Sequence, residues 1–416
     1  MLSEKDNHLL TRIECDAPMG HMLQDCFWVP AIRAGKLERD GAPDRVRLFG
    51  RDFIAFRATD GRVGFFDEAC PHRRASLALG RNEGNGVRCI FHGWKIDVSG
   101  KVVEMPNEHR DPERMCAKVK VKHYPVREAG GMIWVYIGER AEPPRFPDFE
   151  FNELDETQNN ITSSTINCNW VQGLEASLDD AHVGILHESH MSSYKAKHMS
   201  LYEGPPPAYD INLTRYGFEA AAIRHMPDGT TASAITHFAM PWFGFVSTAV
   251  PQVAGTTRRV VFVAVPIDDV TFKQWFFSYD MAGPVEKFFG GTANYDQDDI
   301  CPPLGDKSNN WGQDREAMKR GHATGFTSNL LAEDTAVQMS MGRITDRTHE
   351  QLCSADKAIA TARQVLLDAV RAHQKGETPT GAHPDIDWRA IRAWTVQDDG
   401  ANDWREARTY PLQAAE

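Results

Sequence analysis

The chain has 416 residues, enough for two domains with separate cores. Its formal net charge of -12 argues against nucleic acid or an anionic membrane as the main partner, since an acidic surface repels both, while leaving it suited to docking a basic protein. No run of about 18 apolar residues occurs, and the opening MLSEKDNHLLTRIECDAP lacks the basic start and apolar core of a signal peptide, so a cytoplasmic protein without a membrane span is expected.

From Arg45 to about Gly138 short β-rich runs (VRLFG, FIAFRA, VGFFD, VRCIFHGWKIDV, VKHYPV, MIWVYIG) are broken by turn signals such as Asp60-Gly61 and Ser99-Gly100, which predicts an all-β module. ERAEPPRFPDFEF, with Pro143, Pro144 and Pro147, cannot continue a sheet interior and reads as the exit linker, giving domains at 1–147 and 148–416. A helical stretch follows around Trp170 to Leu186. The strand-like runs FEAAAIR, ASAITHFAM, GFVSTAV, RRVVFVAVP and FKQWFFSYD come next, and then a long amphipathic helix over about Ser354 to His373. The expected fold is α+β, an all-β domain followed by an antiparallel sheet flanked by helices. The Gly-, Asn- and Asp-rich connection from about Pro284 to Phe326 is long enough to be a substrate lid, or a mobile insertion.

Eight cysteines scattered through a long chain read as reduced thiols, some available to a metal. Four potential ligands gather in CPHRRASLALGRNEGNGVRCIFHGW. Cys70-x-His72 and Cys89-x-x-His92 sit beside Pro71 and Gly93, as two tight loops closing on one object would. Zinc accepts two thiolates and two imidazoles, but structural zinc sites usually take paired cysteines from one loop. Here each loop offers one Cys and one His, which suits a Rieske [2Fe-2S] cluster with Cys70 and Cys89 on one iron and His72 and His92 on the other.

On these residues the chain resembles the Rieske domain of ring-hydroxylating non-haem iron oxygenases. His72 is followed by Arg73 and Arg74, and Cys89 by Ile90 and Phe91, so the extra disulfide-forming cysteines of respiratory Rieske proteins are missing and the resemblance is to the oxygenase branch. It extends from PMGHMLQDCFWVPA through EMPNE to SMGRITDRTHEQL and is strongest to the phthalate dioxygenase-like α subunits, which include aryl-ether O-demethylases.

A second constellation lies in NCNWVQGLEASLDDAHVGILHESH. His182 and His187 are five residues apart, which a regular helix would not bring onto one face, so a helix end must intervene, with Gly184 able to supply it. Two histidines and one carboxylate make the facial triad of mononuclear iron(II) oxygenases. The resemblance implies Asp334, in NLLAEDTAVQMSMG, as the carboxylate, with Glu333 its nearest rival, and His190 competes with His187 by proximity. It also implies that Asp179, rather than Asp180, bridges His182 to His92 of a neighbouring protomer and carries the electron between subunits.

The implied enzyme is the oxygenase component of a multicomponent system, a homotrimer or stacked trimers, using dioxygen on a small aromatic acid. No Gly-x-Gly-x-x-Gly dinucleotide loop is found, so NADH would act through a separate ferredoxin or reductase. O-demethylation of a lignin-derived methoxylated or biaryl acid is favoured, with ring cis-dihydroxylation of a phthalate as the alternative. Arg224 and Arg215 are the candidate cations for the substrate carboxylate. A reading of another class is a Rieske electron carrier without oxygen chemistry; it would hold about two irons per chain where the oxygenase holds about three.

Overall fold

Alternating apolar residues and glycine turns in the first part of the chain, and long buried strands in the second, produce two separately cored units in the computed structural model. It describes residues 2–155, 157–193, 206–247, 258–285, 297–301, 303–398 and 403–406. One unit is Ile13–Pro147; the other is Met1–Arg12 with Asp148–Glu416. Helix α1 (Glu4–Thr11) therefore folds with the larger unit. Asn7 Nδ2 donates to the Thr345 carbonyl at 3.0 Å, and the Thr11 carbonyl accepts from Asn169 Nδ2 at 2.9 Å.

The smaller unit starts with helix α2 (Pro18–Cys26) and strand β1 (Val29–Arg33). A three-stranded antiparallel sheet follows, made by β2 (Asp44–Leu48), β3 (Arg51–Arg57) and β4 (Val63–Asp67). Strands β5 (Arg81–Glu83), β6 (Gly86–Arg88), β7 (Lys95–Asp97) and β8 (Val102–Glu104) form a four-stranded meander. Helix α3 (Pro112–Lys118) leads to β9 (Val126–Ala129) and β10 (Met132–Val135), which complete a sheet with β1. Of the run VKHYPV, His123 makes an isolated bridge with Phe66 and Val126 opens β9, while Pro125, without an N–H, interrupts the ladder between them. Ile54, Phe56, Phe66, Val87 and Ile96 pack a core that also holds Cys70, Cys89 and Trp94.

The larger unit is built on an eight-stranded sheet with antiparallel pairing throughout. Its strands are β11 (Asn159–Ile166), β12 (Ala208–Leu213), β13 (Gly217–His225), β14 (Thr231–Ala239), β15 (Phe243–Val246), β16 (Arg258–Asp268), β17 (Thr271–Asp280) and β18 (Trp394–Asp398). The spatial order is β11-β17-β16-β15-β14-β13-β12, with β18 added beside β14. Strands β13, β14 and β17 are buried at nearly consecutive residues, so both faces are covered and the alternation of a half-exposed strand is lost.

The expected helix over Trp170 to Leu186 is two helices. Helix α4 (Trp170–Leu178) is capped by Asn169, whose side chain accepts from the Val171 N–H, and it is buried almost all round. Gly173 permits its approach to β17, since a Cβ there would collide with the Phe272 ring. The chain leaves the helix at Asp179, turns, and makes the short α5 (Val183–Leu186) and α6 (Glu188–Ser193). Gly184 lies inside α5, so the break between His182 and α4 is made by Asp179 to Ala181; Asp179 Oδ1 accepts from the Ala181 N–H at 2.8 Å and turns the backbone.

Part of the 284–326 connection, residues 286–296 and 302, lies outside the described residues, as do the last residues of GFVSTAV and the lid reading that depends on them. The described part includes α7 (Arg315–Lys319). Helix α8 (Leu330–Ser340) is capped by Asn329, and α9 (Lys357–Gln374) is the long amphipathic helix. Leu331 of α8 packs with Phe276 and Ile300.

A buried ion network holds α4 to α9. Glu175 receives Arg347 Nε and Nη2 at 3.0 Å each and Arg363 Nε at 2.7 Å, and Arg363 continues to Glu350 at 3.1 Å. Burial alone would raise the Glu175 carboxyl, yet Arg347 and Arg363 outweigh it and hold it below the ordinary glutamate value. Arg347→Met takes one of its two guanidinium partners from the buried Glu175 and is expected to destabilise the larger unit by about 3–5 kcal/mol. Denaturant unfolding followed by tryptophan fluorescence checks this; a change under about 0.5 kcal/mol, the range of an ordinary surface substitution, would mean the network is not structural.

Candidate functional site

The two Rieske-type loops have matching backbones. In the first, after β4, the Arg74 N–H donates to the Cys70 carbonyl at 2.9 Å and the Cys70 N–H to the Ala75 carbonyl at 2.8 Å. In the second, between β6 and β7, Gly93 donates to Cys89 at 3.0 Å and Cys89 to Trp94 at 2.8 Å. The residue four after each cysteine is left-handed, Arg74 at φ 63° and Gly93 at φ 75°. Each turn thus buries its cysteine and projects a histidine beside the other. The His72 and His92 rings are 4.5 Å apart, and both cysteines are 2 % exposed.

These four side chains fit a [2Fe-2S] cluster. His92 Nδ1 is buried with no hydrogen-bond partner, an arrangement that costs free energy unless a metal takes the lone pair. Burial, with His92 and Arg73 near, lowers His72 and keeps its ring in the neutral form that ligates. Burial likewise pushes the Cys70 thiol up to about 11, so a bound cation is what would hold it as thiolate. Among the described residues the eight cysteines form no disulfide.

The second site is assembled in the larger unit. His182 and His187 flank α5, and their Nε2 atoms lie 3.5 and 3.3 Å from the same oxygen, Asp334 Oδ1. Ligands on adjacent positions of one ion at about 2.1 Å are themselves about 3 Å apart, so these three atoms already lie close to a coordination face. The opposite ring atoms are held by other carboxylates. Asp179 Oδ2 is 3.5 Å from His182 Nδ1, and Glu333 Oε2 is 2.8 Å from His187 Nδ1.

Burial would lower both imidazoles, but Asp179 and Asp334 outweigh it and raise His182, and Asp334 with Glu333 pushes His187 up to about 9. The pocket therefore draws positive charge, which a metal ion can supply in place of protons. Asp334 sits in the second turn of α8, past the first-turn positions that a helix dipole favours.

Helices α4 and α8 keep this geometry through Gln172. Its Nε2 donates to the Gln338 carbonyl at 2.8 Å and the Gly342 carbonyl at 3.0 Å, satisfying acceptors at the end of α8, and its Oε1 accepts from the Thr345 N–H. Neither this clamp nor the Glu333 bond to His187 is visible in the sequence reading. The only hint was the Glu333-Asp334 pair, where two successive helical carboxylates must face different directions.

Glu333 is fully buried and also accepts from Thr324 Oγ1, so it orients His187 rather than competing with Asp334. Glu333→Gln is expected to weaken mononuclear iron binding by about 10–100-fold, measured by iron titration of the depleted protein; unchanged affinity would remove this role. His190, His322 and Glu333 also lie close together. His190 Nε2 is bonded to the Phe326 carbonyl at 2.8 Å, and His322 Nδ1 accepts the Gly325 N–H at 3.0 Å. Protein groups therefore engage both rings.

The two arginines considered for a substrate carboxylate have protein partners. Arg215 ion-pairs Asp385 on the surface, its side chain 62 % exposed. Arg224 is buried and ion-paired to Asp180, whose N–H donates to Tyr209 Oη at 3.2 Å. Its charge is thus matched within the turn that follows α4, and the pair fastens that turn to β12 and β13.

Residues 27–125 match the Rieske [2Fe-2S] domain family, and residues 135–416 match the LigXa C-terminal domain like family. The phthalate 4,5-dioxygenase oxygenase subunit of Pseudomonas putida is 37% identical over 96% of this chain and 97% of its own length. The chain is an α subunit of the Rieske non-haem iron oxygenases, in their phthalate dioxygenase-like branch. Another relative of this Rieske oxygenase is the 5,5'-dehydrodivanillate O-demethylase oxygenase subunit of Sphingobium sp. (strain NBRC 103272 / SYK-6), 31% identical over 91% of this chain and 83% of that one.

Solved structures share the oxygenase's fold. Pseudomonas putida CBB5 NdmA with caffeine superposes with a TM-score of 0.59 at 18% identity, covering 89% of this chain and 97% of that one. Dicamba monooxygenase bound to dicamba gives 0.58 at 16%, covering 85% and 99%. The cofactors of the Rieske oxygenase are accordingly a [2Fe-2S] cluster and a mononuclear iron, with dioxygen as cosubstrate. No described helix is long and apolar enough to cross a membrane.

Proposed function

We propose that the protein oxygenates a small aromatic carboxylic acid, with electrons from NADH arriving through a separate reductase. The observation that carries this reading is the three-atom face formed by His182 Nε2, His187 Nε2 and Asp334 Oδ1. Cys70, Cys89, His72 and His92 hold the cluster, and His182, His187 and Asp334 hold the mononuclear iron. When bound, the cluster supplies electrons singly and the iron supplies the position at which dioxygen is activated.

The remaining work belongs to the protein. Glu333 and Asp179 fix the ring planes of His187 and His182 by holding their Nδ1 atoms, which leaves both Nε2 atoms facing Asp334. Asp179 also bridges to His92 of a neighbouring protomer in a homotrimer, single or stacked, joining the two metal sites across subunits. The Asp180–Arg224 pair keeps the Asp179 turn in place.

The reaction favoured is O-demethylation of a lignin-type methoxylated or biaryl acid. An aryl methyl ether, dioxygen, NADH and a proton then give a phenol, formaldehyde, water and NAD+. Similarity over most of the chain to the dehydrodivanillate O-demethylase supports this reading. The 37% identity to a phthalate dioxygenase supports a second, in which a phthalate, dioxygen, NADH and a proton give the ring cis-dihydrodiol, carrying both oxygen atoms, and NAD+.

The test is coupled oxygen uptake by the iron-replete enzyme with a ferredoxin-type reductase, screened over methoxylated benzoates, biaryl acids and phthalates, with products identified by mass spectrometry. Formaldehyde with a phenol supports demethylation and a cis-diol supports the second reading. Two irons per chain and no coupled uptake with any acid would instead identify an electron carrier.

A further inference from the structure

The segment EMPNE, set after the second cluster loop, has no part in the metal sites as described above, yet it touches that loop at each of three successive residues. Met105 lies in the core around Cys89 and Trp94. Pro106 stands against Gly93, where a Cβ would come within 3.0 Å of its ring. Asn107 Oδ1 accepts from Trp94 Nε1 at 2.7 Å. The anchored indole then lies flat on His72, with ring centroids 4.6 Å apart and planes 9° from parallel.

The two histidines are unequal in this respect. The ring stacked on His72 is buried, 8 % exposed, and fixed by a hydrogen bond. His92 has instead the half-exposed Phe91 beside it, tilted at 43° with centroids 3.9 Å apart, and Arg73 lies over that ring. Water is therefore excluded from one face of His72 by a rigid, buried group, while the aromatic neighbour of His92 is itself exposed to solvent.

We propose that Asn107 and Trp94 are positioning residues for the cluster, setting the plane of His72 and shielding it from water so as to hold the cluster's reduction potential down. This rests on His72 being a cluster ligand. A cluster with two thiolates and two neutral imidazoles is formally neutral when oxidised and carries one negative charge when reduced. Shielding withdraws solvation from the charged form, which lowers the potential, and the negative face of the indole acts in the same direction. A lower potential gives the electron a larger drive toward the mononuclear site.

The experiment compares Asn107→Ala and Trp94→Phe with the unaltered holoenzyme. Cluster iron and visible absorption are measured first, then the midpoint potential by mediated titration and the electron paramagnetic resonance of the reduced cluster. Both variants are expected to retain the cluster, shift the midpoint potential upward and change the resonance, since phenyl can stack but cannot be anchored by Asn107. Wild-type potential and resonance in both would overturn the proposal, even if thermal stability fell. Cluster loss in both would overturn it too, by making the clasp a folding element. His72→Ala separately tests the ligand reading: it should lose the cluster, and retention would refute that reading, whatever the other variants show.

Discussion

Asp334→Ala is expected to abolish oxygenation and reduce iron from about three to about two atoms per chain, with the cluster's visible absorption intact. The carboxylate oxygen that faces both Nε2 atoms, at 3.5 and 3.3 Å, is removed, and the neighbouring carboxylate cannot replace it: Glu333 is directed to the opposite side of the His187 ring. A facial set reduced to two imidazoles loses both a ligand and the negative charge that balances iron(II). Cys70 and Cys89, the proposed cluster thiolates, lie in a separate core in the other unit, so the cluster should survive. Metal analysis beside the absorption spectrum reads the outcome. Three irons retained would reassign the carboxylate to Glu333.

Asp179→Asn should leave both metals bound and slow turnover on the order of 100-fold, the upper range for groups that orient a metal ligand. Asparagine keeps an oxygen for the Ala181 N–H, so the turn after α4 is retained and the fold is not at issue. What is lost is the negative charge 3.5 Å from His182 Nδ1 and the acceptor that would bridge to the next protomer. The discriminating measurement is single turnover from a fully pre-reduced cluster at full iron content. If Asp179 serves the transfer between sites, the cluster reoxidises slowly although iron and substrate are in place. Wild-type reoxidation would end that role.

The two metal sites were not equally legible. Cys70-x-His72 and Cys89-x-x-His92 could be read as a cluster because each loop carries its pair within four residues, where spacing nearly dictates geometry. His182 and His187 were legible for the same reason, although they stand at the two ends of the short α5, inside which Gly184 lies, and the helix break falls before both, at Asp179 to Ala181. That break depends on a side chain bonding its own backbone, which residue spacing does not reveal. Arg224 looked like a free cation in a strand; its partner Asp180 comes from the turn after α4, brought close only when β13 is in place.

By itself the sequence determined the class of chemistry, since ligand type and local spacing are properties of short segments, and it placed a helical stretch, a run of strands and a long late helix in the right order. The tertiary structure alone decided which of two adjacent carboxylates faces the histidines. Consecutive helical residues point about 100° apart, and α8 has a particular rotation only because Gln172 grips its end and Leu331 packs on Phe276. It likewise decided that Trp94 lies on His72, through the hydrogen bond its indole N–H donates to Asn107, thirteen positions further along the chain. Contacts of this kind depend on which surfaces fold against one another, a property of the whole core and of no single motif.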